Sequence, residues 1–187
     1  MTRIGIILGS TGPLGRQVAR WAYDNASRRA DAIFEMVDLL DYPLPHLGEP
    51  LRPEPPDERK GYVQAWTQRI ASLEGFVMVT PEYNHSPSGV LKNAIDHLHD
   101  EWNNKSVGFV TYGYQGGARA GEHLRLVCGE LMMADVRQIV AVTLARGPGG
   151  RDMFEPGETA QAQLCTMLDQ VVAWSSALSS LRTAPMS

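Results

Sequence analysis

A glycine-rich segment, GSTGPLG at residues 9–15, has the composition of a turn that binds an anion. Its glycines let backbone N–H groups point outward just before a predicted helix, and the partial positive charge of a helix N-terminus favours a phosphate. Ser10 and Thr11 would add hydroxyl donors. The spacing G-x-x-G-x-x-G matches neither the dinucleotide fingerprint G-x-G-x-x-G nor a P-loop. A tight turn in which Ser10 or Thr11 caps the helix is the alternative.

Two later segments combine aromatic and small residues in a way that suits a flat ligand. In residues 81–89, a planar ring could lie on Tyr83 while the backbone amides of residues 82–84 reach its polar edge. The alternative is a turn in which Asn84 bonds its own backbone. In residues 112–117, three glycines let the backbone approach a flat ligand closely. The alternative there is a flexible connection with its two tyrosines, Tyr112 and Tyr114, on the surface.

Each of these three segments follows a predicted strand. Short apolar or β-branched runs alternate with longer amphipathic stretches, which is the pattern of βαβ units. The predicted strands cover residues 3–8, 33–38, 76–80, 106–111 and 136–143. Because parallel neighbours need right-handed helical crossovers, this pattern predicts an α/β fold with a doubly wound five-stranded sheet. Ligands bind such a sheet beyond the carboxyl ends of its strands, so all three segments belong to one edge.

The helices and the longest loop complete this pattern. Predicted helices cover residues 15–30, 58–73 and 159–181, and two more follow the third and fourth strands. Residues 39–57 carry six prolines, too many for a helix interior or a central strand, and predict an irregular loop. The third strand is apolar throughout, which implies burial on both faces of the sheet.

Composition and charge exclude several classes of function. The chain has 187 residues, 43% of them hydrophobic, and predicts one domain over residues 1–187. Seventeen basic and 21 acidic side chains give a net charge of −4, so nucleic acid is not an expected partner. The apolar stretch at residues 4–8 is too short for a signal peptide, and no run approaches a membrane span. We expect an unprocessed protein without membrane association.

The residues that could bind a metal or act as nucleophiles are dispersed. Cys128 and Cys165 form no CxxC pair, which favours a reducing, cytoplasmic compartment and argues against a zinc site. His97 and His99 lie two apart on a helix and therefore diverge. No Ser/His/Asp or Cys/His arrangement is visible, and Cys128 falls in an apolar helical stripe that predicts a core position.

The three segments together resemble those of a known family. The motif TPEYN at residues 80–84, continued by SPSGVLKNAID at residues 86–96, closely resembles the signature of the NADPH-dependent FMN reductases. This flavodoxin-like family includes quinone, azo-dye and chromate reductases. GST at residues 9–11 and GYQGGARAGEHLR at residues 113–125 are similar to two further family segments, in the same order. With the proline-rich loop, the resemblance covers nearly the whole chain.

The resemblance implies a flavodoxin-like sheet of order 2-1-3-4-5 with one FMN site. Hydride would pass from NADPH or NADH to FMN and on to a quinone, flavin or similar small acceptor. Because this chemistry belongs to the flavin, no catalytic side chain is expected. A homodimer or homotetramer packed through the helices after strands three and four is also implied, with Trp102 as an anchor unless it lies in the core. The residues implied to hold FMN are Ser10, Thr11, Gly12, Arg16, Pro81, Glu82, Tyr83, Asn84, Gly113, Gly116 and Gly117.

The phosphate segment departs from the family pattern. Family members commonly carry an arginine directly after GST in a longer loop, and this chain has Gly12 in a shortened one. Without that guanidinium the phosphate loses a charge-assisted contact of about 1.5 to 3 kcal/mol, which predicts weaker FMN binding. Arg16, in the first helical turn, is the candidate replacement. A solvated helix arginine is the alternative.

Two other functions fit parts of the sequence. A dinucleotide-binding enzyme would use Asp38, at the end of the second strand, to hold a ribose hydroxyl, although the glycine spacing is wrong for it. A non-catalytic relative would have lost tight FMN binding together with the arginine. Among the remaining acids, Glu82 is expected to contribute its backbone and Asp96 to end a helix.

Overall fold

The computed structural model describes residues 1–48 and 56–183 of the chain. Five strands form one parallel sheet in the order β2-β1-β3-β4-β5, which confirms the predicted fold class and strand order. These strands are β1 (Arg3–Leu8), β2 (Ile33–Asp38), β3 (Gly75–Pro81), β4 (Ser106–Gly113) and β5 (Ala134–Thr143).

Helices cover both faces of the sheet. They are α1 (Pro13–Ala26), α2 (Pro56–Ala71), α3 (Gly89–Asp96), α4 (Ala118–Glu130), α5 (Glu158–Ala177) and α6 (Ser179–Thr183). Side chains of α1 and α5 pack in one apolar layer, and side chains of α2, α3 and α4 pack in a second layer on the opposite face. Every residue of β3 is buried, as a strand covered on both faces must be.

The second layer is rich in aromatic side chains. Trp102 is fully buried there, and its ring meets Phe76 at a centroid distance of 4.9 Å in a T-shaped contact. Its indole Nε1 donates to the carbonyl oxygen of Ile95 over 3.1 Å, so the one polar atom of the ring is satisfied. Trp102 is therefore a core residue rather than an interface anchor. Cys128 is buried in the same layer, as predicted.

Several boundaries differ from the predictions. Helix α1 ends at Ala26 rather than at residue 30, because the chain turns there, with the Arg29 N–H donating to the Ala26 carbonyl over 3.0 Å. The predicted helix over residues 159–181 is divided at Leu178 into α5 and α6. Helix α2 begins at Pro56, since proline is well suited to the first helical position.

Several short elements were not predicted. Strands β6 (Ala145–Arg146) and β7 (Asp152–Met153) pair as a small antiparallel hairpin beyond the end of β5. Within the predicted loop over residues 39–57, Leu39–Asp41 forms a turn of 3-10 helix, and residues 49–55 lie outside the described part of the chain. Over residues 1–48 and 56–183, no helix is both long and apolar enough to cross a membrane.

Candidate active site

The three glycine- and tyrosine-containing segments meet at the carboxyl edge of the sheet, as the sequence predicted. They follow β1, β3 and β4, which are neighbours in the sheet. Leu8, the last residue of β1, is in register with Val79 of β3, and Pro81 at the end of β3 is in register with Tyr112 of β4. We call these segments the first loop (residues 9–15), the second loop (residues 81–88) and the third loop (residues 112–117).

The first loop leads into a helix whose first turn has no side-chain cap. Gly12 is the N-cap residue of α1, no acidic residue lies in the first turn, and Pro13 begins the helix. Thr11 is exposed, whereas Ser10 is only 3% exposed and its Oγ accepts the N–H of Gly12 over 3.2 Å. The helix N-terminus is thus available to an anion, and the Ser10 hydroxyl is used within the loop.

Tyr112 connects the third loop to the first. Its side chain is 3% exposed, so it is not the surface aromatic that one alternative described. Burial raises the pKa of the Tyr112 phenol to about 12, while a hydrogen bond with Ser10 acts in the opposite direction. A Cβ atom on Gly15 would lie 2.6 Å from the phenol oxygen, so glycine is required where Tyr112 crosses the start of α1. The phenol stays neutral at physiological pH and joins the two loops.

The second loop contains a tight hairpin that presents one aromatic ring. Tyr83 and Ser86 exchange both backbone hydrogen bonds, at 2.9 and 3.0 Å, and the two residues between them have φ values of 50° and 72°. Positive φ at both central positions is the geometry of a type I′ turn, for which asparagine is favoured at Asn84. The Tyr83 side chain is 58% exposed. The hairpin therefore holds a phenol ring out at this edge of the sheet.

The hairpin also uses two of the amides that were predicted to meet a ligand. The Glu82 N–H donates to the Tyr112 carbonyl over 2.9 Å, and the Tyr83 N–H donates to Ser86 as described above. In the described part of the chain, the N–H of Asn84 makes no such bond. Of the three predicted amide donors, the one on Asn84 is thus the best placed to serve a ligand.

Glu82 acts through its side chain as well as its backbone, which the sequence analysis did not predict. Its Oε1 accepts from Nε of Arg119, in the first turn of α4, over 2.6 Å. Burial raises the pKa of this carboxyl, but the Arg119 guanidinium and the backbone amides of Arg119 and Ala120 outweigh burial and leave the pKa below its usual value. Glu82 Oε2 is buried and, among the described residues, has no hydrogen-bond partner.

The third loop closes tightly against the end of β4. Gly116 and Gly117 both have φ of 77°, and a Cβ atom on Gly117 would lie 2.9 Å from the backbone nitrogen of Tyr112. The Thr111 hydroxyl donates to the Gly116 carbonyl over 2.9 Å. The Gly113 carbonyl accepts hydrogen bonds from the N–H groups of Gly116 and Leu144. These hydrogen bonds hold the loop backbone against the end of β4, which argues against the flexible connection of the alternative interpretation.

The β6-β7 hairpin borders the third loop. Tyr114, which is exposed, donates from its phenol to Asp152 over 2.9 Å. The guanidinium of Arg146 lies over the Tyr114 ring, 4.7 Å from its centroid, and is 3.4 Å from the Asp152 carboxylate. The hairpin thereby forms one side of the site, on the side away from the first loop.

Ser88 connects the second loop to the first. Its N–H donates to Thr80 over 3.1 Å, and its Oγ accepts the N–H of Leu91 over 3.2 Å as the N-cap of α3. The same hydroxyl donates to the carbonyl oxygen of Gly9. Hydrogen bonds of Ser88 and Glu82 therefore join the second loop to the first and third loops, and the Tyr112 phenol packs against Gly15 of the first loop. Neither Ser88 nor Arg119 is among the residues predicted for the site, although a serine just before an apolar stripe is a recognisable helix cap.

Arg16 and Asp38 pair with each other beside the first loop. Arg16 Nη2 lies 2.7 Å from Asp38 Oδ2, and Asp38 Oδ1 accepts the N–H of Leu40 over 3.0 Å. Both carboxylate oxygens of Asp38 are therefore occupied. In this arrangement the Asp38 carboxylate is engaged by Arg16 and by the Leu40 amide, whereas the dinucleotide-binding alternative would use it to hold a ribose hydroxyl.

The histidines and acids do not gather into a metal site. In the part of the chain that the structure describes, no group of three His, Cys, Asp or Glu side chains could hold a metal ion. His97 hydrogen-bonds the Pro45 carbonyl over 2.8 Å, and His123 hydrogen-bonds Ser86 over 3.0 Å. Asp96 ends α3, as predicted, and pairs with Lys92 at 2.7 Å.

The sequence is similar to those of known flavin and quinone reductases. The sequence matches the model of the NADPH-dependent FMN reductases over residues 2–147. It is 37% identical over 158 residues to an NAD(P)H-dependent FMN reductase of Schizosaccharomyces pombe, covering 82% of this chain and 79% of that protein. It is 30% identical over 155 residues to a 2-hydroxy-1,4-benzoquinone reductase of Burkholderia sp., covering 78% of this chain and 80% of that protein.

The fold is similar to that of a solved flavoenzyme. The NAD(P)H:(acceptor) oxidoreductase FerB of Paracoccus denitrificans superimposes with a TM-score of 0.73 at 20% identity, over 95% of this chain and 98% of that one. At this identity the likeness concerns the fold alone. The family model covers most of the chain, and the sequence relatives add to it, so this chain belongs to the family of NADPH-dependent FMN reductases.

Proposed function

We propose that this chain works as a single domain that binds FMN across the three joined loops and transfers electrons from NAD(P)H to a small quinone-like acceptor. The observation that carries the proposal is the pairwise connection of the loops at one sheet edge, with an uncapped helix N-terminus at one end and the exposed Tyr83 ring and the third-loop backbone at the other.

The residues around the first loop fit a phosphate. The first turn of α1 offers backbone N–H groups that no side chain caps, and no carboxylate of its own competes for them. Thr11 is exposed and would donate its hydroxyl, while Ser10 shapes the loop from within. We assign the phosphate of FMN to this position.

The residues around the other two loops fit a flat ring. Tyr83 would stack on it, the Asn84 amide would donate to its polar edge, and Pro81 would fix the start of the hairpin. The backbone of Gly113, Gly116 and Gly117 would border the opposite side. Glu82 Oε2, a buried acceptor, fits the N–H of a flavin-like ring. FMN, when bound, supplies the hydride and electron chemistry, and the chain's own residues bind the ring, orient it and exclude water from it.

The acceptor, the compartment and the oligomeric state are proposed from the relatives and the composition rather than from any one side chain. The quinone reductase among the relatives favours a quinone-like acceptor. With a net charge of −4, nucleic acid is not proposed as a partner. Two free cysteines fit a reducing, cytoplasmic compartment, and we propose a homodimer or homotetramer in keeping with the family resemblance.

A titration with flavin tests the proposal. The purified chain is mixed with FMN and with riboflavin while flavin fluorescence is recorded, and NADPH oxidation is then followed with and without FMN. We expect saturable binding of FMN and NADPH oxidation that requires it. No binding of either flavin would overturn the proposal, and binding without NADPH oxidation would favour the non-catalytic relative.

A further inference from the structure

The ion pair between Arg16 and Asp38 lies beside the first loop, to which the proposed function assigns the phosphate of FMN. The first loop itself contains no lysine or arginine. Arg16 is in the first turn of α1, and helical side chains are directed toward the helix N-terminus. Arg16 is thus the residue of this turn that can bring positive charge to the loop.

Asp38 is the buried partner of the ion pair, and Arg16 is the exposed one. Asp38 ends β2 and is in register with Leu8, the residue just before the first loop. Its side chain is 11% exposed and is fixed by the Leu40 amide, whereas the Arg16 side chain is 60% exposed. Both residues line a cavity of about 310 Å³, which gives the guanidinium room to change rotamer.

A phosphate at the first loop would therefore meet two effects of Asp38. The Asp38 carboxylate binds the Arg16 guanidinium at 2.7 Å. The guanidinium must therefore leave Asp38 to bind the phosphate. The carboxylate also repels the phosphate, since like charges near one site disfavour each other. Both effects lower affinity for FMN and leave affinity for riboflavin, which has no phosphate, unchanged.

We propose that Asp38 limits the affinity of this protein for FMN by competing with the cofactor phosphate for Arg16, so that FMN is exchanged rather than held permanently. This inference rests on the proposed function. It gives Asp38 a specificity role toward the phosphorylated flavin, distinct from the ribose contact of a dinucleotide-binding enzyme.

The test compares dissociation constants for FMN and riboflavin in matched variants. Asp38→Asn removes the charge but keeps an oxygen that accepts the Leu40 N–H. Asp24→Asn is the control, because Asp24 pairs with Arg20 at 2.9 Å and lies about two turns further along α1 than Arg16. Arg16→Gln and the double variant Arg16→Gln with Asp38→Asn show whether the effect passes through Arg16. Thermal unfolding of each variant checks that folding is intact.

We expect Asp38→Asn to lower the FMN dissociation constant about two- to fivefold at low ionic strength, the size of an exposed charge pair, and less at high salt. Riboflavin binding and the Asp24→Asn control should not change. Arg16→Gln should weaken FMN binding. Asp38→Asn should improve FMN affinity less in the Arg16→Gln background than in the wild-type background.

Other results would overturn the inference. Unchanged FMN affinity in Asp38→Asn, or an equal change for riboflavin or in Asp24→Asn, would show that Asp38 does not compete for Arg16, while leaving the flavin site intact. A wild-type chain that binds neither flavin would overturn the inference together with the proposed function, and riboflavin binding separates these two cases.

Discussion

Arg119 donates from Nε to Oε1 of Glu82 over 2.6 Å, and this pair ties the second loop to the first turn of α4. The Glu82 side chain is 8% exposed and Arg119 is 41% exposed, so the carboxylate is the buried partner. The backbone of Glu82 is bonded to Tyr112 at the same time. Glu82 therefore sets the spacing between the hairpin that carries Tyr83 and the third loop.

The first prediction concerns the charge of Glu82. Glu82→Gln should lower the free energy of unfolding by about 1 to 2 kcal/mol, because a charge-assisted bond becomes a neutral one in a buried setting. Urea unfolding measures this. Glu122→Gln is the control, since Glu122 pairs with Arg125 on the same helix but is 64% exposed, and its effect should stay within about 0.5 kcal/mol. Equal effects of the two variants would contradict a special role for Glu82.

The second prediction concerns pH. The pKa of Glu82 is lower in the folded state than its ordinary value of 4.5. Its stabilising effect is therefore fully present above that ordinary value and is lost as the pH falls through the lowered folded pKa. The stability difference between wild type and Glu82→Gln should thus shrink in acid. Urea unfolding of both proteins from about pH 7 to about pH 3 checks this, and a difference that grew in acid would contradict it.

The third prediction concerns the Tyr83 ring. Tyr83→Ala should raise the FMN dissociation constant about three- to tenfold, since a ring stacked on a ring contributes about 0.5 to 1.5 kcal/mol. Tyr83→Phe keeps the ring and should bind FMN nearly as the wild type does. Because Tyr83 is 58% exposed, neither variant should change the melting temperature much. A loss of FMN affinity in Tyr83→Phe equal to that in Tyr83→Ala would point to the hydroxyl instead.

The fourth prediction concerns Gly117, the residue just before α4. Gly117→Ala should destabilise the protein by at least about 1 to 3 kcal/mol, because φ is 77° and the new Cβ would press on the Tyr112 backbone. Gly129→Ala is the matched change within α4, where nothing lies within 4 Å of an added Cβ, and it should stabilise by about 0.5 to 1 kcal/mol. The melting temperatures of the two variants test this prediction. Melting temperatures that shifted in the same direction would contradict a requirement for glycine at position 117.

The fold was largely predictable because its signals are local and repeated. Apolar runs and helical periodicity gave the five strands within a few residues, and the carboxyl ends of three strands located the loops. The β6-β7 hairpin was missed because strands of two residues carry no period. The early end of α1 was missed because residues 27–30 contain no glycine or proline to mark the turn that closes the helix.

The site was predictable as a place but less so as a set of side chains. Residue type suggested that Ser10 would donate to a ligand, yet Ser10 is buried, because the first loop folds over it. Tyr112 is buried because it crosses the start of α1 where only glycine fits. The Glu82 side chain gained its role from Arg119, 37 residues away. Such pairings arise from tertiary packing, which a single sequence does not encode locally.

The most direct test of FMN-dependent electron transfer is an anaerobic absorbance experiment. The protein, in molar excess over FMN so that the flavin is bound, is mixed with NADPH and then with benzoquinone. We predict that the visible band of oxidised flavin disappears with NADPH and returns with the quinone. Protein-bound FMN whose spectrum did not change with NADPH or with NADH would contradict the account.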